Sequence, residues 1–192
     1  MPANQKAISA GSGTRAAVGA LAFIGYAATI PLANYLIMNV GTVCHPRGPC
    51  TVPVWPGIEC PSGSLLIGWA LVLRDIVQRT IGKAWALLAI TLGVIVSGLV
   101  APASLIIASM AAFGISELCD FLIYTRLQRD HFIAAVLASS VVGLVIDSAI
   151  FLFLAFGSLE LLSGLIIGKT WMVLAALPAL FWVRRRYKED AT

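Results

Sequence analysis

The stretch SSVVGLVIDSAIFLFLAF, Ser139 to Phe156, is almost pure hydrocarbon, with a single carboxylate, Asp147, near its middle. It approaches the ~20 apolar residues with which an α-helix crosses a bilayer. A soluble protein can hide one such run in its core, so the rest of the chain decides. Of its 192 residues 59% are hydrophobic and only 11% are charged, where soluble domains carry roughly 25% charge. Mean hydropathy is +0.93.

Apolar runs of this kind recur at Ala16–Val40, Gly63–Thr80, Ala84–Val100, Pro102–Tyr124, Phe132–Phe156 and Leu159–Val183. Hydrocarbon offers backbone groups no partner, so each run is expected to be a helix. The fold class is therefore all-α, a polytopic membrane protein built as a bundle of six transmembrane helices. Pro102 suits a helix start, where its missing N–H costs little. Short connections make successive helices antiparallel neighbours. The domain organisation reads as an N-terminal tail (1–15), a membrane domain (16–183) with a long loop at 41–62, and a basic tail (184–192).

Charge sets the orientation. Lys6, Arg15, Arg79, Lys83, Arg126, Arg129 and the RRRYK run from Arg184 to Lys188 fall on one side, and Arg47 alone falls on the other. Positive residues favour the cytoplasm, so both termini are expected there and the 41–62 loop outside. The net charge of +4 is explained by this bias, and no nucleic-acid partner is called for. The first run is longer than the ~7–15 residues of a signal-peptide core and lacks an A-x-A end, so it reads as a retained helix.

The outer loop, GTVCHPRGPCTVPVWPGIECPSG, is punctuated by Pro and Gly, which argues against regular structure over most of it. It holds Cys44, Cys50 and Cys60. Outside the cell these permit one disulfide and one remaining thiol, in any pairing. His45 beside Cys44 matches no zinc spacing, and no metal or cofactor is expected. The loop reads as a stapled surface lid, and Cys119 as an inert membrane thiol.

Six ionisable residues fall within the predicted spans: Arg74, Asp75, Glu117, Asp120, Asp147 and Lys169. Each costs about 2.5–3.5 kcal/mol at a bilayer centre, so such residues face a bundle interior or a watery cavity. At ~1.5 Å per residue, Asp147 lies about 15 Å below Gly157, Lys169 about 14 Å below Glu160, and Arg74 with Asp75 about 15–18 Å below Gly63. Two cations and two anions are thus expected at one level near the midplane. Glu117 and Asp120, three residues apart on a face shared with Phe113 and Tyr124, lie deeper; Asp120 also suits the cytoplasmic interface. Asp75 and Arg79, four apart, suit an ordinary helical pair.

Ion pairs that only glue helices seldom add net stability over apolar packing. A polar pocket is the better account of the set. Carboxylates accept paired N–H donors, Lys and Arg donate to carbonyls, and Phe113, Tyr124, Phe151 and Trp171 offer flat apolar partners. Those parts suit a planar heterocycle carrying both N–H and C=O groups. Gly164 and Gly168, Ser139 and Gly143, and Ala16 and Ala20 repeat the small-x-x-x-small spacing of close helix packing. Such spacing serves internal packing first, and leaves a homodimer open. LVLRD (Leu71–Asp75) and LVIDS (Leu144–Ser148) hint at an inverted 3+3 repeat.

LVLRDIVQRTIG, ASMAAFGISELCDFLIYTRLQR, VIDSAIFLFLAFGS and GKTWM together resemble the queuosine precursor transporter family, also called the vitamin uptake transporter family. The resemblance runs from about Gly63 to the C-terminus, with motif elements at Asp75, Arg79, Ser109, Asp120, Asp147, Phe151 and Lys169. It implies a multi-pass protein of the bacterial inner membrane that imports 7-deazaguanine bases, 7-cyano-7-deazaguanine or its aminomethyl relative. A guanine-like edge would give N–H groups to a carboxylate and a carbonyl to a cation. The implied site is Asp147, Lys169 and Asp75, then Asp120 and Glu117, with Arg74, Phe113 and Phe151 beside them. Lys169 either meets the ligand carbonyl or holds Asp147 ionised.

Two other classes compete. A substrate-binding subunit of an energy-coupling-factor importer would dock an ATPase through small residues such as Ala16 and Ala20. The chain has no G-x-x-x-x-G-K-[ST] of its own, so it does not use ATP in cis. An intramembrane enzyme is disfavoured because His45 and His131, the two histidines, sit in loops. A purely structural subunit would not need the midplane charges.

Overall fold

Because a helix in hydrocarbon satisfies its own backbone, its side chains are free to sort by polarity, and this chain sorts them inside out. The computed structural model describes residues 3–44, 49–129 and 131–186. Its helices are α1 (Ala3–Asn39), α2 (Ser64–Ile81), α3 (Lys83–Val100), α4 (Ile106–Leu127), α5 (Phe132–Phe156), α6 (Leu162–Ala175) and α7 (Leu177–Arg186), with a 3-10 turn at Ala103–Leu105 leading into α4. Leu21, Ile24, Leu99, Ile107 and Phe153 point outward, while Arg74, Asp75, Glu117, Asp120 and Lys169 are buried. The protein is an all-α polytopic membrane protein.

Five segments are long and apolar enough to span a membrane: Gly13–Asn39, Lys83–Val100, Ala103–Leu127, Phe132–Phe156 and Leu162–Arg186. The last combines α6 and α7. Pro178 explains the break between them, since it has no N–H to offer the carbonyl four residues back. Helix α2 is the exception, carrying Arg74, Asp75 and Arg79. Its place in the bundle follows from that. It packs against α1, α3, α4, α5 and α6, the central position in which its charges find partners instead of lipid. Its C-terminal carbonyls are capped by Arg15, which donates to Arg79 O at 3.0 Å and Thr80 O at 3.1 Å.

The outer loop departs from expectation. It forms a three-stranded antiparallel sheet in the order β1 (Val43–Cys44), β2 (Cys50–Trp55), β3 (Ile58–Pro61). Proline and glycine sit where such a sheet tolerates them. Gly57, at φ +75°, makes the β2–β3 turn; Pro53 lies at a register shift between Pro53 and Trp55, and Pro61 ends β3. Cys44 pairs with Cys50 both in register and as the disulfide, leaving Cys60 a buried thiol. His45 and Arg47 lie outside the described residues.

The sheet is seated on the bundle. Ser62 Oγ donates to Leu36 O at 2.9 Å at the end of α1. Gly164 and Gly168 face the sheet: a Cβ on Gly164 would sit 1.9 Å from Glu59 O, and one on Gly168 3.0 Å from Cys60 Sγ. Their spacing therefore serves a strand lying against α6. Gly143 does similar work for α5, where a Cβ would meet Asp120 Cβ and Oδ2 at 3.2 Å. Ala16 and Ala20 lie on the exposed face of α1.

Two outcomes follow. Gly164→Leu should lower thermal stability in detergent by about 1–3 kcal/mol, the cost of overpacking, whereas Gly13→Ala, with nothing within 4 Å, should leave the melting curve in place. Burial pushes the Cys60 thiol up to about 11, with Lys169 partly opposing it. The group is therefore a neutral thiol at ordinary pH and becomes thiolate only as pH rises through that value. Maleimide at about pH 8 should leave Cys60 unlabelled in the folded protein and label it after denaturation, as read by mass spectrometry.

Candidate functional site

The six buried ionisable residues form two clusters, and the grouping differs from the depth arithmetic. In the first, the guanidinium of Arg74 on α2 uses all three nitrogens. Nη1 donates to Asp75 Oδ1 at 2.5 Å, Nε to Glu117 Oε2 at 3.0 Å, and Nη2 lies 2.8 Å from Asp120 Oδ1. All four side chains are at most 1% exposed. Ser139 on α5 donates to Asp75 Oδ2 at 3.4 Å, and Gln78 donates to Thr125 Oγ1 at 2.8 Å.

This arrangement corrects two expectations. Arg74 and Asp75 join Glu117 and Asp120, not Asp147 and Lys169, because an arginine side chain reaches across more than a helical turn. Asp120 is an interior group, not an interfacial one. The helical pair is replaced as well: Asp75 bonds Arg74, and Arg79 lies over the ring of Phe132, 5.4 Å from its centroid.

The second cluster joins α5 to α6. Lys169 Nζ donates to Asp147 Oδ2 and, at 2.9 Å, to Ser148 Oγ. These residues lie on the wall of a cavity of about 80 Å³ in the sheet-side half of the bundle. Its lining takes in the last turns of α1, the start of α2, the start of α4 and the second half of α5. Phe113 and Phe151 contribute rings, and Asn34, Ser64, Ser97 and Ser109 contribute neutral polar groups. Phe113 reaches its position because α3 has Gly93 opposite: a Cβ there would stand 2.6 Å from the ring.

Four of the sequence-predicted residues thus share the cavity: Asp147, Lys169, Phe113 and Phe151. Arg74, Asp75, Glu117 and Asp120 do not line it. Tyr124 is fully buried against Phe132, and Trp171 is 49% exposed on the outside of the bundle. Sequence reasoning passed over Asn34, Ser64 and Ser97. A lone amide or hydroxyl in an apolar helix costs little and occurs often, so only Asn34, inside the apolar run of α1, offered a signal. Its amide partly spends itself on Ile30 O at 3.0 Å.

A helical bundle with an apolar exterior, buried ion pairs and an acid–base pair on the wall of a cavity has the layout of a membrane transporter for a small polar molecule. Comparison with known families agrees. Residues 98–183 match the family described as "Putative vitamin uptake transporter", so the second half of the chain is similar to that family. The match takes in α4, α5, α6 and most of α7, and with them Glu117, Asp120, Asp147 and Lys169. No curated protein and no solved structure matches the chain. That description is of a transporter, which implies a bilayer and a small-molecule substrate.

The ion pair itself can be tested. Removing one member of a buried pair strands the other, at a cost of about 3–5 kcal/mol, while replacing both by apolar residues is often neutral. Lys169→Met should therefore lower the melting temperature in detergent more than Lys169→Met combined with Asp147→Leu. A double variant less stable than either single one would show that the pair contributes through something other than mutual neutralisation.

Proposed function

We propose that the chain imports a planar heterocyclic base of the 7-deazaguanine class across the bacterial inner membrane, with both termini cytoplasmic and residues 41–62 outside. The substrate is 7-cyano-7-deazaguanine or its aminomethyl relative. The observation that carries this reading is the Asp147–Lys169 pair on the wall of a cavity that also presents Phe113 and Phe151. A guanine-like edge offers two adjacent N–H donors to the Asp147 carboxylate and a carbonyl to the Lys169 ammonium. Asp147 and Lys169 neutralise each other as an ion pair, and the ligand enters by taking up one partner of each. Aromatic rings suit a flat base and would do nothing for a simple inorganic ion. Arg74, Asp75, Glu117 and Asp120 hold α2 and α4 together beyond this site.

A second reading, a substrate-binding subunit that docks an ATPase, draws on the exposed Ala16 and Ala20 of α1. The same face would serve a homodimer. The two readings part on whether the chain works alone.

The test is complementation of a bacterium unable to make or import queuosine precursors, fed 7-cyano-7-deazaguanine at low concentration. Queuosine in transfer RNA is read by boronate gel shift. The wild-type chain alone should restore it. Asp147→Asn and Lys169→Met should each reduce initial uptake about 10- to 100-fold, the loss expected for one charge-assisted hydrogen bond. Restoration only with an added ATPase module would favour the second reading. Failure in both settings, with the protein in the membrane, would exclude this substrate class.

A further inference from the structure

The Arg74 cluster does not balance. Three carboxylates, Asp75, Glu117 and Asp120, surround one guanidinium, which leaves two negative charges uncompensated if all three ionise. Among the described residues no second cation forms an ion pair with these carboxylates. From α1 comes Tyr26, from α4 Tyr124, and from α5 Ser139 and Asp147. Lys169 on α6 is engaged with Asp147, and Arg79 on α2 lies over Phe132. Each uncompensated charge in such an interior costs several kcal/mol, and a carboxyl avoids that cost by taking up a proton.

A second observation points the same way. Glu117 Oε1 and Asp120 Oδ2 are buried with no hydrogen-bond partner, and Asp120 Oδ1 meets Arg74 off the N–H direction. The hydroxyl of Tyr26, a residue 1% exposed, is likewise unpartnered and lies within interaction range of Glu117. Tyr26 carries one hydrogen that can reach Glu117, and the Ser139 hydroxyl goes to Asp75, so the Asp120 carboxylate still lacks a donor.

We propose that the Arg74 cluster is a proton-binding site, with at least one proton held among Asp75, Glu117 and Asp120, and that the transport cycle loads and releases a proton there. The proton comes from water and bonds to a carboxylate oxygen; no other bond changes. Its coupling to the cavity runs through α5. Ser139 touches Asp75, Gly143 gives room to Asp120, where a Cβ would meet it at 3.2 Å, and Asp147 reaches the cavity, all on one helix. Protonation weakens the ion pairs that tie α2 to α4, so charge state and helix arrangement change together. The coupling rests on the transport reading, whereas the proton itself does not.

The experiment has two arms. Infrared difference spectroscopy of the purified full chain at about pH 7, where a free carboxyl is ionised, should show the carbonyl stretch of a buried carboxylic acid. That band should vanish or shift in at least one of Glu117→Gln, Asp120→Asn and Asp75→Asn, and persist in Asp147→Asn. The wild-type spectrum needs no variant to fold, and absence of the band overturns the proposal. In the second arm the chain is reconstituted in liposomes with 7-cyano-7-deazaguanine outside and the membrane potential clamped. An inside-alkaline gradient should raise initial uptake several-fold. Uptake indifferent to the gradient overturns the coupling. The band without uptake of any base leaves the proton site standing and removes the transport reading.

Discussion

The guanidinium of Arg74 is the group on which the arrangement of the bundle depends. A charge on a membrane helix has to be met by other side chains, since lipid cannot meet it. Helix α2 carries Arg74 and Asp75 side by side, so it cannot lie at the periphery. It is instead enclosed by α1, α3, α4, α5 and α6. The carboxylates of α4 then fix which face of that helix turns inward, because Glu117 and Asp120 both reach the same guanidinium. Once α2 and α4 are joined, Gly143 lets α5 close against Asp120, and Gly68 lets α6 approach α2, where a Cβ would stand 2.6 Å from Lys169 O. The small residues follow the charges.

Much of this was legible in the sequence, for a definite reason. The span positions follow from hydropathy, a one-dimensional quantity that hydrocarbon reads directly, and α5 coincides with the run Phe132–Phe156. The buried ionisable residues were legible too, since their cost leaves them few other places to go. Their partners were not. Depth along a helix gives one coordinate, and pairing also depends on rotation about the axis and on reach. Asp147 and Lys169 matched in depth and do meet. Arg74 matched them equally well and meets Glu117 and Asp120 instead. The neutral cavity groups Asn34, Ser64 and Ser97 left almost no trace, because a single hydroxyl or amide carries too small a penalty to betray its location.

The outer loop shows the opposite failure, in which a strong local signal points the wrong way. Its prolines and glycines argue against strands, and singly each argument is sound. Yet β2 and β3 form a short hairpin with its turn at Gly57 and its irregularity at Pro53. Tertiary support overrides propensity here. Thr51 donates to Glu59 at 2.5 Å across the pair, the Cys44–Cys50 bridge closes β1 on β2, and glycines of α6 give β3 a seat. The motif at Gly164 and Gly168 was readable as a site of close packing. That the packed element is a strand, and not a helix, was not.

The two buried cations differ in kind, and the difference matches their positions. Arg74 presents a rigid fork of donors and spends it on three separate carboxylates, an arrangement that suits a fixed joint between helices. Lys169 is a compact charge on a flexible stem, with donors that rotate freely. It holds Asp147 and Ser148 on the wall of a cavity, where a partner can be exchanged without moving the backbone. An arginine there would bind its carboxylate in a planar, two-point grip that a neutral ligand could not easily replace. A lysine gives up one acceptor for another at similar cost. On the proposed reading, a site that binds a ligand and then releases it is better served by the second kind of cation, and the first kind suits the joint between α2 and α4.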